Sequence, residues 1–91
     1  MYVESAKLTF RLLGSFSLKD KRQVRRSIVD KIRSRFNVSV AEVGTQDVYQ
    51  MLTLGVSVVS GDFTHAEQML DEVIRYMEEN ADAELVEVER F

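Results

Sequence analysis

From Tyr2 to Leu13 the even positions read Tyr2, Glu4, Ala6, Leu8, Phe10 and Leu12, and the odd ones Val3, Ser5, Lys7, Thr9, Arg11 and Leu13. A period of two sends successive side chains to opposite faces, so this stretch predicts a strand with one buried face. Gly14 and Ser15 end the alternation. Ser17 then precedes Asp20 by three residues, a spacing at which a hydroxyl and a carboxylate both satisfy free amides at a helix start. Val24, Ile28, Ile32 and Phe36 follow at four-residue steps with Val29 beside them, the apolar stripe of an amphipathic helix. The same switch from period two to a capped helical period occurs again in the second half, and that recurrence restricts the fold to very few topologies.

After Asn37, Val38 to Val40 start a second strand. Glu42-Val43 reverses its alternation, which predicts a bulge near Ala41. Gly44 to Asp47 reads as a turn, and Met51 to Ser60 as a strand with Leu52, Leu54, Val56 and Val58 on one face. Ser60-Gly61-Asp62 is the next turn. Thr64 and Glu67 repeat the capping spacing, and Ala66, Met69, Leu70, Val73, Ile74 and Met77 line a second helix. Asn80 to Asp82 end it before a short last strand at Leu85, Val86 and Val88. The order β-α-β-β-α-β with two right-handed crossovers predicts one α+β domain over residues 1–91, ferredoxin-like, with two helices on one face of a four-stranded antiparallel sheet. The first and third strands are expected at the centre, with Leu8, Phe10, Leu54, Val56, Ile28, Ile32, Leu70 and Val73 buried.

Composition narrows the chemistry. There is no cysteine and one histidine, His65, expected to be exposed on the second helix, so a transition-metal site lacks ligands and thiolate chemistry is excluded. No metal or cofactor is expected. No apolar run reaches the ~20 residues that span a bilayer, and Met1 to Glu4 lack the basic start and apolar core of a signal peptide. The expectation is a cytoplasmic protein without membrane contact.

The stretches "SLKDKR", "RFNVSVAEVG", "QD" and "TLGVSVVS" resemble the YlxP-like bacterial family. The resemblance covers nearly the whole chain. It implies a ferredoxin-like domain and, because genes of that family often lie beside those of a translation initiation factor and a ribosome-binding factor, a link to the small ribosomal subunit. It carries over no catalytic residue.

The charge is unevenly placed. Between Lys19 and Arg35 stand eight Lys/Arg against Asp20 and Asp30, a balance of +6, while the rest of the chain carries -9 and the whole -3. At ~100° per residue Lys19, Arg22, Arg26 and Arg33 share one narrow arc of the helix, and Lys21 and Arg25 lie nearer the apolar stripe, where their stems are expected to run along its rim with the heads in water. Arg22 and Arg26 repel at four-residue spacing, and cations in the first turns oppose the helix dipole. A surface shaped for stability alone would avoid both. The segment therefore predicts an anionic partner, RNA or the small ribosomal subunit, contacted by Lys19, Lys21, Arg22, Arg25, Arg26 and Arg33. The competing reading is a solvated face whose charge pairs with the acidic second helix (Glu67, Asp71, Glu72, Glu78, Glu79).

The open sheet face is expected to show Lys7, Thr9 and Arg11 beside Thr53 and Ser57, with no aromatic in the central strands to stack a base. That surface suits a homodimer, and a non-catalytic interaction or regulatory module dimerised through its sheet is the second functional reading. Gly14-Ser15-Phe16-Ser17 opens a helix as an anion-binding turn would, but it keeps a single glycine and Arg11 lies inside the strand, unlike the phosphate cradle of acylphosphatase. The sequence predicts a binding protein, not an enzyme. Glu84, Glu87 and Glu89 read as protection of an edge strand.

Overall fold

A computed structural model describes residues 1–91. The elements are β1 (Tyr2–Arg11), α1 (Leu18–Arg35), β2 (Ser39–Gly44), β3 (Met51–Ser60), α2 (Phe63–Asn80) and β4 (Glu84–Arg90). The strands form one antiparallel sheet in the order β2-β3-β1-β4, so β1 and β3 are central, and the fold is the ferredoxin-like α+β arrangement expected. Neither helix is long and apolar enough to cross a membrane.

The alternation sets the register. Ala6, Leu8 and Phe10 oppose Val56, Leu54 and Leu52 across the β1–β3 pair, and all six are buried under the helices. Ile28 and Ile32 of α1 and Ala66, Leu70, Val73 and Met77 of α2 close this core from above. At the far edge of α1, Phe36 meets Tyr76 edge-on at 5.5 Å between ring centres, a T-shaped pair joining the two helices.

The helix ends follow from local side chains. Ser17 Oγ accepts from the Asp20 amide at 3.1 Å, and the Asp20 carboxylate accepts from the Phe16 amide at 2.9 Å. Two of the amides at this turn, those of Phe16 and Asp20, are thus held by the helix's own side chains. The second helix starts earlier than its Thr64–Glu67 spacing indicated. Asp62 is the N-cap and accepts from the Thr64 amide at 3.2 Å, while Ser60 Oγ accepts from the Asp62 amide at 3.1 Å. A carboxylate held in extended backbone at Asp62 outcompetes the Thr64 hydroxyl, which lies inside the first turn.

The β2 bulge lies two residues later than expected. Glu42 opposes Leu54 and Gly44 opposes Thr53, leaving Val43 as the extra residue. Val40 and Glu42 both face α1, and Val43 swings onto the open face above Gly55, where a Cβ on Gly55 would lie 2.9 Å from Val43 Cγ1. Glycine is required there by close approach. The displaced bulge follows from placing a carboxylate, Glu42, on the inner face of the sheet. A second bulge leaves Val86 of β4 unpaired between Leu85 and Glu87.

Candidate nucleic-acid interface

The cations of α1 divide into three groups. Lys19, Arg22 and Arg26 are exposed and have no carboxylate within ion-pair distance, since the ion pairs of the molecule are Lys21–Glu42, Arg25–Glu42 and Arg90–Asp71. Arg33 is exposed, and its guanidinium donates to the Val40 carbonyl at 3.4 Å. Arg22, Arg26 and Arg33 span about 16 Å along the helix at 1.5 Å per residue. Toward the sheet, Arg25, Arg26 and Arg33 border a groove of about 320 Å³ between α1 and β2, floored by Val29, Val40 and Ala41 and lined also by the Asp30 and Glu42 carboxylates. The cation arc therefore looks toward the β2 edge, away from α2. None of the five α2 carboxylates pairs with it; Asp71 pairs instead with Arg90. On the opposite side of α1, Lys31 reaches the Asn80 carbonyl at 3.5 Å and Arg35 lies 5.0 Å over the Tyr76 ring, so these two cations serve the helix–helix seam.

Lys21 departs from the expectation. The sequence places it among the phosphate contacts with its head in water, but the residue is 2% exposed and its ammonium is turned inward. Nζ lies 2.9 Å from Glu42 Oε2 and donates to the carbonyls of Val48 at 3.0 Å, Gln46 at 3.4 Å and Thr45. A helical wheel places Lys21 about 20° from Ile28, so it belongs to the apolar stripe. A buried ammonium persists only with its charge and its three protons satisfied, and Glu42 and the loop carbonyls do both. Lys21 is thus removed from the set of phosphate contacts.

Arg25 is intermediate: Nη1 donates to Glu42 Oε1 at 2.8 Å, with its side chain 35% exposed. Burial pushes the Glu42 carboxyl up, but hydrogen bonds from Lys21 and Arg25 and their charges together outweigh it and hold the group below its ordinary value. The pair fastens the 45–50 loop, whose first residue, Thr45, takes φ 53°, a left-handed conformation rare for a β-branched side chain. Its hydroxyl meets Thr53 Oγ1 at 2.9 Å. As a result Thr53, expected on the open face, is only 4% exposed.

The rest of the open face presents Lys7, Thr9 and Arg11 on β1 and Ser57 on β3, as the alternation requires, with Glu89 opposite Lys7 and Glu84 opposite Arg11 on β4. These opposite charges share register positions without closing into ion pairs. His65 is exposed. Sequence reasoning missed two features: the inward Lys21–Glu42 pair, whose signals were the wheel position of Lys21 and the shared parity of Glu42 with Val40, and a trough across the open face that depends on cross-strand register.

Residues 3–90 match the family described as "Protein of unknown function (DUF503)". The chain is also similar to "Uncharacterized protein YlxP" of Bacillus subtilis (strain 168), with 36% identity over 62 residues, covering 68% of this chain and 67% of that protein. The matched residues run from within β1 to the end of β4, so the likeness takes in the whole sheet, both helices and the cation arc: the chain belongs to the DUF503 family.

Proposed function

We propose that this protein is a non-catalytic RNA-binding protein, associated with the small ribosomal subunit, that contacts the phosphate backbone through Lys19, Arg22, Arg26 and Arg33 of α1. One observation carries the reading. In a chain of net charge -3, the cations of this arc have no carboxylate partner, although five acidic residues line the neighbouring helix. Charges meant only to balance α2 would face it. A row of guanidiniums spaced along one helix instead fits successive phosphates, each contact releasing counterions. The buried Lys21–Glu42 pair adds a fixed platform, since it clamps the first turns of α1 to the 45–50 loop.

The test is a triple variant, Arg22→Glu, Arg26→Glu and Arg33→Glu, assayed by cosedimentation with small subunits across a salt series. Exposed substitutions of this kind change stability by about 0.5 kcal/mol or less each. The variant is expected to stay folded, to bind weakly, and to show a log–log salt slope lower by about one unit per lost phosphate contact. Parent-like binding with the parent's salt dependence would show that α1 is only a solvated face.

A further inference from the structure

Around the β2 edge, adjacent to the α1 groove, lies a trough of about 780 Å³ on the open sheet face. Its floor is made by register. Ser5, Ser57 and Ser39 stand side by side across β1, β3 and β2, and Lys7, Gly55 and Ala41 form the next row. Serine is among the smallest side chains, so a flat ring can approach the backbone closely along the serine row, while Lys7 is the one long side chain of the floor. Phe91 continues the serine row beyond β1: its amide donates to the Ser5 carbonyl at 3.0 Å, and its ring, 72% exposed, walls that side. Arg33 and Val38 bound the trough at the β2 edge, and Val43 closes it over Gly55. From Phe91 to the β2 edge is three strand spacings, about 14 Å.

We infer that this trough holds a nucleotide of single-stranded RNA, its phosphate at Arg33 and its base lying over the serine row against Phe91. The inference rests on the proposed phosphate contacts of α1 and names the class of RNA they serve. Arg33 belongs to the helix arc, the α1 groove and the trough alike, so a strand tracked by Arg22 and Arg26 reaches the β2 edge with a cation waiting there. Charge complementarity favours this occupant at that end, because the Lys7 end is shared with Glu89 opposite it. The serine hydroxyls, two of which meet at 3.2 Å between Ser5 and Ser57, can donate to or accept from a base edge. An A-form duplex offers no unstacked base to such a trough, whereas single strands do.

The experiment compares a fluorescent ten-nucleotide single-stranded RNA with a hairpin duplex, using the parent, Ala41→Leu, Phe91→Ala and the triple α1 variant. Ala41 and Phe91 are both exposed, so neither change is expected to unfold the chain, and matching melting curves check this. Ala41→Leu fills the floor and Phe91→Ala removes the wall. Each is expected to weaken single-strand binding by about tenfold while leaving the salt slope unchanged, and Phe91→Ala, which does not border the α1 groove, is expected to leave duplex binding unchanged as well. A 5-iodouracil oligonucleotide should crosslink to the peptide bearing Phe91 in the parent and not in Ala41→Leu. If only the triple variant loses binding, the trough is not used and the inference is overturned, while the helix reading stands. If the triple variant binds as the parent does, both fall. A parent that sediments as a dimer and an Ala41→Leu protein that sediments as a monomer would identify the face as a contact between two copies and overturn the nucleotide assignment.

Discussion

At the scale of residues, the Glu42 carboxylate decides which cations of α1 turn inward, since Lys21 and Arg25 both pair with it. With both groups largely withdrawn from water, removing the Glu42 carboxylate leaves the buried Lys21 ammonium without its counter-charge, whereas Glu42 without Lys21 would keep Arg25. Glu42→Gln is expected to destabilise the protein by about 3–5 kcal/mol, read from urea unfolding near neutral pH. The pH dependence has a definite sign. Glu42 has a lower pKa folded than unfolded, so its contribution is fully present above the unfolded value of about 4.3 and is lost as pH falls through the folded value. Urea midpoints measured from pH 6 downward should therefore drop for the parent below about pH 4. The Gln variant, already less stable, should show a shallower acid slope. Equal slopes would mean that Glu42 is not held ionised by its two cations.

At the scale of elements, each helix is defined as much by its first residue as by its stripe. Asp62→Ala is expected to lower stability by about 1 kcal/mol and Thr64→Ala by much less, because only the former accepts from a free amide; thermal unfolding of the two single variants separates them. Loss from Thr64→Ala as large as that from Asp62→Ala would restore the later helix start. Lys21→Met tests the clamp between α1 and the 45–50 loop. A thioether can fill the stem's path, but the carbonyls of Thr45 and Val48 lose their donor. Amide exchange in residues 45–50 should accelerate more than in β1 or β3, since local opening and global unfolding are separable. Uniform acceleration throughout the sheet would show that Lys21 supports the whole fold instead of this loop.

At the scale of the molecule, the sheet's two faces differ, since both helices cover one and leave the other open. The inner face is the stability reserve. Leu54→Ala, in the middle of β3 and fully buried, is expected to destabilise by about 2–5 kcal/mol, measured by calorimetry. A smaller loss would mean that the neighbouring Leu8 and Val56 collapse into the space. The sequence by itself determined the order of elements, the central position of β1 and β3, the inner face carrying Leu8, Phe10, Leu54 and Val56, and the arc of Lys19, Arg22, Arg26 and Arg33. Each follows from periods of 2 or 3.6 residues, which local sterics impose on any chain with those patterns. Tertiary structure alone decided where charge meets charge. Lys21 turns inward because Glu42, twenty-one positions away in sequence, arrives beneath it on β2 together with three loop carbonyls, and no local pattern encodes such a meeting. The trough likewise exists only through register, which aligns Ser5, Ser57 and Ser39 from three separate strands and brings Phe91 beside them. Periodicity assigns a side chain to a face; only pairing across the sheet assigns it its neighbours.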